Sequence, residues 1–159
     1  MSEDAVWVKE KGELRILGQR HTAIDAQTLC DHLDSLTGAQ VAEVIMHNLE
    51  FRLGKLDAAR LKAEKPQATV RELLDDLAKA DCLSGLGITT VTLHENPQTS
   101  IDIEIANPSV KANAGAAKAF AFSWWAGALT ALLDSEMEAK NVFYDEKMNL
   151  IRSQITRRQ

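Results

Sequence analysis

The chain has 159 residues, of which 45% are hydrophobic and 26% charged, and it carries a net charge of −5. Length and composition fit one globular domain with a single core. The negative balance excludes nucleic acid or an anionic membrane as the natural partner class. The N-terminus, MSEDAVWVKEKG, is charged and lacks the apolar stretch of a signal peptide. The two cysteines, Cys30 and Cys82, therefore read as reduced thiols of a cytoplasmic protein.

In chain order, Val6 to Leu17 alternate loosely around Gly12 and predict one strand pair or a short hairpin, so that residues 1–21 form an extension ahead of the main body. Thr22-Ala-Ile-Asp25 resembles a capping box with Asp in the place of Glu. The helix it opens has Ala26, Leu29, Cys30, Leu33 and Leu36 as its apolar face and ends at Gly38. A second helix runs from Ala39 towards Ala63, with Val41, Val44, Ile45, Leu49, Leu53 and Leu56 as its expected inner face. Gly54 lies inside it at a cost of about 1 kcal/mol relative to Ala, which marks either close helix packing or a break. Pro66 ends this helix, and Thr69-Val-Arg-Glu72 caps a third that carries Val70, Leu73, Leu74 and Leu77.

The pattern then changes period. Ile88 to His94 is rich in β-branched residues, Asn96-Pro97 makes a turn, and Ser100 to Ile105 (SIDIEI) alternates with Ile101, Ile103 and Ile105 inward. After Asn107-Pro108 and a loop of small residues comes the most apolar stretch, Ala114 to Leu133 (AGAAKAFAFSWWAGALTALL). From Ala119 onward it has no charged residue. A helix apolar all round is buried on most sides. That uncharged run is roughly 20 Å long, short of what a bilayer span needs, so it predicts the central helix of a soluble domain. Val142 to Glu146 and Leu150 to Ile155 read as a last strand pair. The order predicts an α+β fold, with an antiparallel sheet packed against helices and a buried apolar central helix, in one domain over residues 1–159.

No catalytic constellation is legible. The histidines have no i, i+4 pair and no zinc-ligand spacing to cysteine, and there is no GxSxG, Walker A or GxGxxG motif. Asp102 and Glu104 lie on the strand face opposite the isoleucines and read as a solvated face. No cofactor and no metal are therefore expected. The aromatics remain: Phe120, Phe122, Trp124 and Trp125 surround the apolar helix, with His47 and Phe51 on the second helix as weaker candidates for a pocket wall. A buried indole needs a partner for its N–H, and two adjacent tryptophans are expected to face different surfaces.

Over residues 22–156 the sequence resembles the 4-vinyl reductase domain family of predicted hydrocarbon-binding proteins. The matching segments are EVIMHNLEFRLGKLDAARL, LSGLGITTVTL, IEIANPS, and FSWWAGALTALL followed by NVFYDEK. The resemblance implies an antiparallel sheet backed by helices, as in the small subunits of the TRAPP tethering complex, and binding of small hydrophobic molecules. It departs from the family in two places. The family's metal-holding cysteine pair is missing from EKMNLIRSQITRR, and a family glycine four residues before Gly54 falls at Glu50.

The first functional reading is a module that binds a hydrophobic or aromatic molecule between the central helix and the sheet, through Trp124, Trp125, Phe120, Phe122, His47 and Phe51. A homodimer is its expected assembly, with no membrane insertion. The alternative is a dimeric scaffold with a filled core. A vinyl reductase comes last, since no residue set supports reductive chemistry.

Overall fold

The computed structural model describes residues 25–94 and 100–158, together with the backbone of 5–8, 13–16 and 19–21. Thr22 to Ile24 of the expected capping box and the Asn96-Pro97 turn lie outside the described residues. The N-terminal extension holds three strands rather than two, β1 (Ala5–Val8), β2 (Glu13–Ile16) and β3 (Gln19–His21), joined in an antiparallel sheet with Val8 opposite Glu13 and Leu14 opposite His21.

Helix α1 (Ala26–Thr37) is capped by Asp25, whose carboxylate accepts the Thr28 backbone N–H at 2.7 Å. Asp25 therefore takes the capping position expected of Thr22. Gly38, at φ +82°, turns the chain directly into α2 (Ala39–Glu64). Thr69 and Glu72 form the full reciprocal capping box at the start of α3 (Val70–Leu83). Strands β4 (Ile88–Leu93) and β5 (Ser100–Ala106) then lead to α4 (Gly115–Leu133), β6 (Met137–Asp145) and β7 (Leu150–Arg157).

The second sheet is antiparallel throughout, in the order β4-β5-β7-β6. Its inner face is set by the alternation in β5: Ile101, Ile103 and Ile105 stand opposite Ile155, Ser153 and Ile151 of β7, and all six are buried. Strand β6 begins at Met137, earlier than its apolar residues suggest. Its charged first half, Glu138 and Lys140, fits an edge strand, where outward charges oppose further pairing. A register shift between Lys140 and Phe143, next to Asn141 at φ +55°, bends it.

Helix α4 lies between the sheet and α2 and also meets α1, which is why it is apolar on every side. At 19 residues and mean hydropathy 1.2 it is long and apolar enough to cross a membrane; length does not decide the matter as expected. Burial does, since 61% of that window is covered by the rest of the fold. Its first turn is capped from another helix, with Asp34 of α1 accepting the Ala116 N–H at 2.9 Å.

The α2–α4 seam overturns one expectation. The pairs Glu43–Lys118, His47–Ser123 and Phe51–Gly127 climb together, so the two helices run parallel. Gly54 and Gly127 let their backbones nearly touch: a Cβ on Gly54 would fall on the Trp124 carbonyl oxygen, and one on Gly127 on that of Phe51. Only small or slender residues fit such a seam. The buried row of α2 is accordingly Ala42, Met46, Gly54 and Ala58, with Glu50 half-buried between them. The bulky row expected inside, Val41, Val44, Ile45, Leu49, Leu53 and Leu56, faces outward, with Val44 59% and Leu56 62% exposed. Leu29 and Leu36 of α1 are exposed as well.

Candidate functional site

Between α4 and the sheet the packing leaves a cavity. Phe120, Ala121, Trp124 and Trp125 of α4 form one wall, and Ile105 of β5 and Ile151 of β7 another. Leu86 and the loop residues Pro108, Ser109 and Val110 close a third side, while Glu50 of α2 and Asp81 of α3 reach in from the helices. Its free volume is about 20 Å³, close to what one water requires. Counting all space between the lining atoms, including the opening to solvent, it is about 350 Å³.

The tryptophans do not divide between separate surfaces. Their rings meet edge to face, 5.3 Å apart at 84°, and both border the cavity. What differs is the partner of each N–H. Trp124 Nε1 donates to Asp57 Oδ2 of α2 at 3.1 Å, and the fully buried Trp125 Nε1 donates to Asp81 Oδ2 of α3 at 2.7 Å. Successive positions on a helix are about 100° apart, and an indole is long enough to bring both rings back to one space.

Of the six residues singled out in the sequence, the structure brings Phe120, Trp124 and Trp125 together at the cavity. Phe122 is buried in the core and is not among the lining residues. His47 and Phe51 sit on the far side of α4, in the seam with α2. There the rings lie 5.8 Å apart and His47 Nδ1 is 2.8 Å from Ser123 Oγ. His94 pairs with Asp102 and Arg152 with Glu104 on the outer sheet face, each at 2.8 Å.

Three carboxylates at the site escape a reading by motif: Glu50, Asp57 and Asp81. The signal for two of them was positional. Asp81 continues the apolar row Leu74–Leu77 of α3, and Glu50 continues the row Ala42–Met46 of α2; an acid in an apolar row is a buried acid. Asp81 is 3% exposed and accepts from Trp125 and, at 3.0 Å, from Thr89 Oγ1. Burial pushes its carboxyl up to about 7 despite these two donors, which favour the charged form. Glu50 is raised to about 7 by burial first, then by the charges of Asp57 and Asp81.

Both acids thus hold their proton more tightly folded than unfolded, from ordinary values of 3.8 and 4.5 up to about 7. Their contribution to stability accordingly falls as pH rises through that window. Urea unfolding of the Glu50→Gln, Asp81→Asn double variant at pH 5.5 and 8 is expected to show a smaller loss of stability with rising pH than the parent chain. An identical pH dependence in the two proteins would contradict the assignment.

Among the described residues, no group of three His, Cys, Asp or Glu side chains is arranged to hold a metal. In the C-terminal hairpin, where the family resemblance places a cysteine-held metal, the chain from Asp134 onward has neither Cys nor His, so the donors of that site are missing. The turn is closed instead by Asp145, whose carboxylate accepts the Lys147 and Met148 N–H groups at 3.0 and 3.1 Å.

No protein-family model matches the chain, and no curated protein sequence does. Among solved structures, the chain is similar to the phenol-responsive sensory domain of the transcription activator PoxR, crystallised with phenol. The TM-score is 0.78 at 12% identity, over 98% of this chain and 86% of that one. At that identity the likeness establishes the shared α+β fold.

Proposed function

We propose that this protein is a small-molecule-binding module, holding a hydrophobic or aromatic ligand in the cavity between α4 and the sheet. The observation that carries the reading is the cavity itself, walled by Phe120, Trp124 and Trp125 with only two carboxylates and one hydroxyl among its side chains. The fold of a phenol-responsive domain supports it, as does the resemblance to hydrocarbon-binding domains. A free volume of about 20 Å³ does not admit a whole ring. Entry therefore displaces Phe120, Pro108 and Ser109, which are half-buried at its edge. No residue set argues for the vinyl reductase reading, and a cytoplasmic location stays the one that fits the chain's free thiols.

Phenol is the first probe. At 100 times its Kd a ligand adds about 2.7 kcal/mol of stability, raising Tm by about 5–11 °C in a chain of this length. Saturable change in tryptophan emission should accompany the shift. Phe120→Trp, which fills the opening, is expected to remove both responses and keep the circular dichroism of the fold. A flat titration with phenol and with neutral ring compounds of similar size would overturn the reading.

The outward apolar row of α2 supports the homodimer as the assembly. Val41, Val44, Ile45, Leu49, Leu53 and Leu56 lie along one side of the helix and form one continuous exposed stripe among the described residues. Leu49→Glu with Leu53→Glu is expected to convert a dimer to a folded monomer in light scattering, since both side chains are exposed in the single chain. A parent protein that is already monomeric would contradict the assembly.

A further inference from the structure

We infer that the cavity selects a ligand with a cationic, hydrogen-bond-donating head, namely a primary amine on a ring or short apolar body. The inference rests on the binding reading above and adds the chemical class of the ligand. Its basis is an imbalance of charge inside an otherwise apolar space. Glu50 and Asp81 line the cavity, and no Lys, Arg or His does. Both donors to Asp81, the Trp125 indole and the Thr89 hydroxyl, converge on Oδ2, and no described group donates to Oδ1. No described group bonds the Glu50 carboxylate. A third acid, Asp57, is held by the Trp124 indole beside them.

A buried carboxylate with an open acceptor is costly, and among the described residues no cation lines the cavity beside either acid. Helix α4 is uncharged from Ala119 to Leu133, β5 and β7 contribute Ile105 and Ile151, and the loop contributes Pro108, Ser109 and Val110. An ammonium group brings three donors, enough for Glu50 and the open oxygen of Asp81. The faces of Phe120 and Trp124 attract the same charge through their quadrupoles. Size agrees. The free volume of about 20 Å³ takes a head group no larger than a water, and the body of the ligand follows by displacing Phe120 at the opening. A hydroxyl donates one bond and leaves the second acid unpaired, and a carboxylate adds a third like charge. Because burial raises both acids to about 7, with the charges of Asp57 and Asp81 adding to the effect on Glu50, a bound cation displaces protons, and amine affinity rises between pH 6 and 8.

Calorimetry with four probes on one ring tests this: benzylamine, benzyl alcohol, toluene and benzoate, at pH 7.5. Benzylamine is expected to bind about tenfold or more tighter than benzyl alcohol, the scale of a charge-assisted bond, with toluene weaker and benzoate not binding. Glu50→Gln should lower the benzylamine-to-toluene affinity ratio about tenfold. Toluene or benzoate matching benzylamine, or a Glu50→Gln protein that keeps the parent's ratio, overturns the cation preference and leaves the binding reading standing. Four silent titrations overturn both.

Discussion

Gly54→Ala is expected to lower the unfolding free energy by about 3 kcal/mol, the upper end of ordinary overpacking costs. One methyl group normally stabilises a helix relative to glycine by about 1 kcal/mol, so the sign alone is diagnostic. At this position the new Cβ meets main chain rather than a movable side chain: the Trp124 carbonyl oxygen, with its carbon at 2.7 Å and its Cα at 3.0 Å. Helix α2 must then lift away from α4. Gly127→Ala presses on the Phe51 carbonyl from the other side and should cost a similar amount. Val44→Ala, on the outer row of the same helix, should change monomer stability by less than about 0.5 kcal/mol. Urea denaturation of the three variants measures this directly, and a neutral or stabilising Gly54→Ala would contradict the seam.

Trp125→Phe is expected to cost about 3 kcal/mol at pH 8, combining the lost bond to a charged acceptor with a void where the indole was. Its N–H is one of two donors that hold the buried Asp81, and without it only the Thr89 hydroxyl remains. That N–H favours the ionised carboxylate, so its loss pushes Asp81 further up and the cost should be smaller at pH 5, where the acid is protonated in either protein. Trp124→Phe removes a bond to Asp57, which is only half-buried, and should cost about 1 kcal/mol. Equal losses for the two variants at both pH values would show that the Trp125–Asp81 pair has no special weight.

These two variants fall where a one-dimensional reading was weakest. Elements whose signal is local were legible: the alternation of Ile101, Ile103 and Ile105, the Thr69–Glu72 capping box, and the uncharged run that became α4. The face of α2 was not. Periodicity locates an apolar stripe but is silent on what covers it, and a seam built on Gly54 and Gly127 buries small residues that contribute little to any stripe. The same blindness hid Glu50 and Asp81. Each lies in the row of its helix that becomes buried, and the consequence of that position is visible only once α4 supplies the indoles and the cavity between them. His47 and Phe51 illustrate the reverse error. Both read as candidates for the pocket wall, yet the parallel approach of α4 turned them to its far side, with His47 against Ser123.

The most direct test of a ligand site beneath the tryptophans is the behaviour of their indole N–H resonances during a phenol titration of nitrogen-15-labelled protein. Assignment follows from Trp124→Phe and Trp125→Phe. Both signals are expected to move saturably and along a single binding isotherm, because both rings border the cavity. Phenol taken to its solubility limit with the two signals stationary, or binding that shifts only resonances of α2's outer row, would contradict it.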